Sequence, residues 1–135
     1  MPKFGITSLE RLATCDRRLR DICCAAILRV DFTVVCGHRG KLDQEAAVAA
    51  GLSRARWPTS KHNSYPSLAV DIAPYDAAKR RITWDDKPLF KALANVMFEE
   101  AARIGVGLRW GGDFNRDGDT TTNDAWDMPH FEIVE

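Results

Sequence analysis

The chemistry available to this chain rests on a few side chains, and the three histidines are few enough to weigh one by one. His62 stands in Ser60-Lys61-His62-Asn63-Ser64, Asp71 follows nine positions later, and His130 lies in Asp127-Met128-Pro129-His130-Phe131-Glu132. Asp71 is flanked by Val70 and Ile72 in a run that reads as a buried strand. A carboxylate there is costly unless it is paired or holds a cation. Alternation along the strand puts Asp71 on one face with Ala69 and Ala73, whose small side chains leave space around it. Two imidazoles and one carboxylate make a three-ligand zinc set with a fourth position left for water. Asp127 adds the free carboxylate that hydrolysis needs, to take a proton from water and return it to the leaving amine. Taken singly, each residue has a plainer reading as a solvated loop histidine, a surface strand histidine or a salt-bridged aspartate. His38 is left out of the set because its neighbour Arg39 repels a cation.

A second pattern follows, Asp113-x-Asn115-x-Asp117-Gly118-Asp119 with Asp124 at position twelve. It matches the opening of a calcium loop, glycine included. Position twelve is the shorter Asp and a strand precedes the loop, so the plain alternative is an acidic surface turn hinged at glycine.

Elements must bring these residues together. Ser8 reads as the N-cap of one amphipathic helix running to about Arg29, through Leu12, Leu19, Ile22 and Ala26. Asp31 to Cys36 reads as a strand ended by Gly37, and Leu42 to Ala50 as a short helix stopped by Gly51. A long polar loop with two prolines spans 53–67, a length more often functional than idle. Leu68 to Ala73 reads as a strand stopped by Pro74, and Pro88 to Ile104 as the strongest helix. Two more strands are expected at 108–111 and 129–134. Few, short strands mixed with helices give an α+β class with a small, mainly antiparallel sheet, in one domain over 1–135.

The quoted residues resemble a known family. His62 with Asp71, followed by Asp127 to Glu132, is similar to the zinc D-Ala-D-Ala-type and L-alanyl-D-glutamate peptidases of the M15 class. The opening FGITSLERL, the strand into Gly37-His38-Arg39, and Arg109-Trp110-Gly111-Gly112-Asp113 also resemble the small phage endolysins of that class. The resemblance implies the D-Ala-D-Ala peptidase (hedgehog-like) fold, with His62, Asp71 and His130 as zinc ligands and Asp127 as catalytic base. It makes Arg39 the residue that grips a substrate carboxylate or orients the scissile carbonyl, a task for a bidentate donor. Ser60 matches the serine of the family's S-x-H element and is expected to position the loop or the substrate. One departure stands out. The family pattern has about six residues and a glycine between histidine and aspartate, whereas this chain has eight, with Pro66-Ser67 near the glycine's place. Glu132 is expected to support the ligands from behind. Trp110 and Trp126 are candidates to wall the cleft, although tryptophans at sheet ends more often pack.

The function implied is zinc-dependent hydrolysis of the L-Ala–D-Glu bond in the peptidoglycan stem peptide, by a phage endolysin in host lysis. A D-alanyl-D-alanine carboxypeptidase or dipeptidase with the same zinc site is the nearest alternative. A non-catalytic, metal-dependent wall-binding protein is the alternative of another class, and the free Asp127 argues against it. Composition narrows the field further. Lys+Arg and Asp+Glu are both 19, so no net charge favours nucleic acid or an anionic membrane. No apolar run approaches a membrane span, and the N-terminus lacks a signal-peptide pattern. The expectation is a monomer made in the host cytoplasm that reaches the wall once the membrane is opened. The four cysteines, Cys15, Cys23, Cys24 and Cys36, form no C-x-x-C pair and read as reduced, mostly buried thiols.

Overall fold

The computed structural model describes residues 2–118 and 127–135. The helices are α1 (Ile6–Leu12), α2 (Arg17–Ala26), α3 (Lys41–Ala49) and α4 (Lys87–Arg103). The strands are β1 (Phe32–Cys36), β2 (Ala69–Asp76), β3 (Arg81–Ile82), β4 (Gly107–Trp110) and β5 (His130–Val134), and a 3-10 turn spans Lys61–Asn63. The sheet runs β1-β2-β5-β4, every ladder antiparallel, with β3 paired to the outer end of β2. The α+β class with a small antiparallel sheet is therefore the observed architecture.

Three expectations need correction. The first helix is two helices. At Cys15 the chain leaves helical geometry to pair with Ser67: the Asp16 amide donates to Ser67 O at 2.8 Å, and the Ser67 amide to Thr14 O at 2.9 Å. Asp16 then caps α2 by accepting from the Arg18 amide at 2.9 Å. Ser8 is not the N-cap, which is Gly5. It is buried inside α1, where its hydroxyl accepts from the Val34 amide. Pro74 does not stop β2, because the strand continues to Asp76 and pairs there with β3, two residues that carry no strand signal of their own.

Strand alternation splits the sheet into two chemically different faces. Val34, Val70, Ile72, Leu108, Trp110, Phe131 and Ile133 turn to a core closed by α2 and α4, which contribute Leu19, Ile22, Leu93 and Met97. Each such fully buried side chain stabilises by roughly 1.5–3 kcal/mol. Cys36, Asp71, His130, Glu132 and Arg109 belong to the opposite face: Cys36 pairs with Asp71, Asp71 with His130, and Arg109 with Glu132. The register that fills the core thus aligns the polar groups on the far side. All four cysteines are free thiols, but only Cys15 and Cys23 are buried; Cys24 is exposed and Cys36 half-buried.

Candidate metal centre and cleft

Three donor atoms converge on the polar face. His62 Nε2 lies 3.2 Å from Asp71 Oδ1 and 3.2 Å from His130 Nδ1, and His130 Nδ1 lies 3.3 Å from Asp71 Oδ1. The edge of a tetrahedron around zinc, with bonds of about 2.0–2.1 Å, is about 3.3–3.4 Å. The three atoms already form such a face.

The imidazoles are turned inward by their outer nitrogens. His62 Nδ1 is 2.7 Å from Gly37 O, and His130 Nε2 is 2.8 Å from Glu132 Oε1. Each outer nitrogen donates to its oxygen, so each inner nitrogen presents a lone pair. Two lone pairs and a carboxylate oxygen then face one another with no donor between them, an arrangement that a cation relieves. Without an ion, a proton answers the same demand. Burial opposes charge on His62, but the Asp71 carboxylate outweighs it and carries the imidazole up to about 10. Burial likewise opposes charge on His130, and Asp71 and Glu132 still raise it. Glu132 is held down at about 2 despite its burial, chiefly by His130.

Local folding explains each position. A Cβ on Gly37 would collide with Thr14 Oγ1 and the Arg11 carbonyl, so glycine lets the strand end pack against the end of α1 and fixes the carbonyl that orients His62. Ser60 caps the 3-10 turn, its hydroxyl accepting from the His62 amide at 3.2 Å while Asn63 reaches back to the Ser60 amide. The longer spacing between His62 and Asp71 is absorbed in the loop, where the Leu68 amide returns to Lys61 O and the Ser67 hydroxyl donates to Ala69 O. Asp71 and His130 face each other by strand register. The Asp127–His130 turn is tied down from β4: the Asp127 amide donates to Gly111 O, the Gly111 amide to His130 O, and Trp110 Nε1 to Met128 O at 2.7 Å.

Asp127 Oδ2 lies 3.9 Å from His130 Nδ1. Burial, then the neighbouring Asp71 charge, pushes its carboxyl up to about 6. Arg39 donates to Gln44 Oε1 at 2.9 Å and to Asp71 Oδ2 at 3.3 Å, and its amide donates to His62 O. A cleft of about 370 Å³ opens beside these groups, lined among others by Arg39, Ser60, Lys61, Asp127, His130 and Glu132. Trp110 does not wall it. It is buried, stacked on Phe131, and among the described residues it reaches the site through Met128. His38 points elsewhere, its Nδ1 at 3.0 Å from Ser64 O.

In the acidic loop, Asp113 accepts from the amides of Asp117 and Gly118, and Asn115 from the amide of Asp117. Asp119, Asp124 and Trp126 lie outside the described residues.

Sequence reasoning missed two residues at the site. Gln44, fully buried, accepts from Arg39 and donates to Ser53 and Ala55 O, joining α3 to the loop. A polar residue on the inward side of a short helix was its only signal. Cys36 stands beside Asp71 and His62, and their donor atoms lie within 4.8 Å of one another. Nothing in the sequence distinguished it from the other thiols.

The fold is shared with an L-Ala D-Glu endopeptidase. The crystal structure of the Serratia marcescens L-Ala D-Glu endopeptidase ChiX superposes with a TM-score of 0.77 at 24% identity, covering 98% of this chain and 91% of that one. The L-alanyl-D-glutamate peptidase of Escherichia phage T5 is 32% identical over 137 residues, 98% of either chain. The family model described as phage L-alanyl-D-glutamate peptidase matches residues 1–134. The chain belongs to that family, and is a hydrolase of the peptidase type.

Proposed function

We propose that this protein is a zinc peptidase that cuts the L-Ala–D-Glu bond of the peptidoglycan stem peptide, with residues 1–135 as one catalytic domain. The observation that carries the reading is the convergence of His62 Nε2, His130 Nδ1 and Asp71 Oδ1 at tetrahedral spacing beside an open cleft. The donor set, two imidazoles and a carboxylate, suits zinc. A zinc ion held there supplies a Lewis acid that polarises the scissile carbonyl and makes water a nucleophile at neutral pH.

The chain's own residues do the rest. The Asp127 carboxylate accepts the proton of the attacking water and delivers it to the departing D-Glu nitrogen, so the C–N bond breaks with a neutral amine leaving. Its burial suits that exchange, because a carboxyl raised towards neutrality both takes and gives a proton readily. Arg39, reaching the cleft from its anchor on Gln44 and Asp71, offers a planar cation to a substrate carboxylate or the scissile carbonyl. Ser60 stabilises the turn carrying His62, and Glu132 fixes the His130 ring. Calcium at Asp113, Asn115 and Asp117, with Asp119 and Asp124, would help position Asp127. Titrating calcium while following activity and tryptophan fluorescence tests that part, and no change in either removes it.

The phage relatives favour an endolysin role, in which a monomer accumulates in the host cytoplasm and reaches the wall after the membrane is permeabilised. Mass spectrometry of fragments released from peptidoglycan of known stem composition tests the bond assignment. New D-Glu amino termini, with L-Ala left on the glycan, are the expected result. Released D-alanine would instead make the protein a carboxypeptidase, and no new termini would make it a wall-binding protein.

A further inference from the structure

Cys36 belongs to the same row of the sheet as the metal centre. The β1–β2 register shifts between Val34 and Cys36, leaving Val35 as the extra residue, and the shift sets Cys36 opposite Asp71. A regular ladder would put Val35 there and turn the thiol to the other face. The donor atoms of Cys36, His62 and Asp71, drawn from β1, the 3-10 turn and β2, lie within 4.8 Å of one another. Arg39 Nη2 is 3.7 Å from the Cys36 sulfur and 3.3 Å from Asp71 Oδ2. Cys15 and Cys23 are buried in the core, and Cys24 is exposed on α2.

Sulfur, imidazole and carboxylate together suit a softer ion than the hydrolytic set does. We propose that Cys36, His62 and Asp71 form a second donor set, for a thiophilic divalent cation such as cadmium or excess zinc, which overlaps the hydrolytic set and inhibits the enzyme when filled. On binding, the Cys36 thiol releases its proton to solvent as the sulfur–metal bond forms, with no change of oxidation state. His62 and Asp71 serve both sets, so an ion seated with Cys36 draws two ligands away from His130. The Arg39 guanidinium must swing aside to admit it, and because His62 has one free ring nitrogen the two sets fill in competition, not in succession. The inhibitory consequence rests on the proposed function, whereas the binding does not.

The test is a cadmium titration of the metal-free full-length chain carrying Cys24→Ser, which removes the exposed thiol, with and without Cys36→Ser. The expected result is a near-ultraviolet thiolate-to-cadmium charge-transfer band in Cys24→Ser that is lost in the double variant. Inhibition of the zinc-loaded enzyme by cadmium should need about tenfold more ion or higher without Cys36, since even outer partners of metal sites alter affinity by about 10–100-fold. No band in Cys24→Ser, or an equal band in both proteins, overturns the proposal. The first of these needs no folded Cys36 variant. A protein showing the band but no peptidase activity would keep this set and sink the functional reading.

Discussion

His62 and His130 turn opposite ring nitrogens towards each other, Nε2 of one 3.2 Å from Nδ1 of the other, because their remaining nitrogens are claimed by Gly37 O and Glu132. Among the described residues, no backbone or side-chain donor stands between them in that tautomeric state. The pair, with Asp71 beside it, therefore favours a positive charge between the rings, which a proton or a metal ion supplies, and the consequences can be measured.

Removing a ligand and removing the base should have separable effects. His62→Ala should lose both bound metal and activity. Asp127→Ala should keep near-stoichiometric metal while turnover falls by about 10²–10⁴-fold, the usual worth of a positioned acid–base group. Metal content by elemental analysis beside hydrolysis rates checks the split. An Asp127→Ala protein with normal turnover would assign the base wrongly.

Glu132 accepts from His130 at 2.8 Å and is itself held by Arg109 at 2.8 Å and Lys61 at 3.5 Å. Glu132→Gln keeps the shape but removes the charge behind the imidazole. Zinc affinity should fall by about 10–100-fold, read by competition with a chromophoric chelator, while circular dichroism stays unchanged.

Gly111 is a steric requirement of the base. A Cβ there would come within 2.8 Å of the Asp127 carbonyl carbon and 2.9 Å of its Cβ. Gly111→Ala should displace Asp127 and lower kcat, on the order of 10²-fold for a shift of about 1 Å, while metal binding persists. Equal loss of metal and rate would show that the whole β4–β5 connection had moved instead.

Chelation should destabilise the fold as well as silence it. A ligand at a hundred times its Kd adds about 2.7 kcal/mol to the folded state. For a chain of this size that is roughly 10 °C in Tm. Calorimetry with and without a chelator checks it, and an unchanged Tm would mean that the convergent donors hold no ion.

The convergent donors could be picked out in sequence because Asp71 is out of place in an apolar strand and because His62, Asp71 and His130 stand in the family's order; singly, neither histidine was distinctive. Glu132 was legible from strand period alone. Trp110 was left between cleft wall and core because both uses suit a tryptophan at a sheet end, and the stacking on Phe131 decides for the core. Cys36 was hidden by the irregularity at Val35, since alternation counted through a bulge gives the wrong face. The break between α1 and α2 was hidden too, because the partner that competes for the backbone at Cys15 is Ser67, far along the chain.

The position of β5 between β2 and β4 has a consequence for the newborn chain. His130 is translated 68 residues after His62, and both neighbouring strands are made before it. Until β5 emerges and threads into the gap, β2 and β4 present unsatisfied edges and the ribosome carries half a centre. The three convergent donors thus come together in a single late event, and a chain ending before His130 lacks one of them.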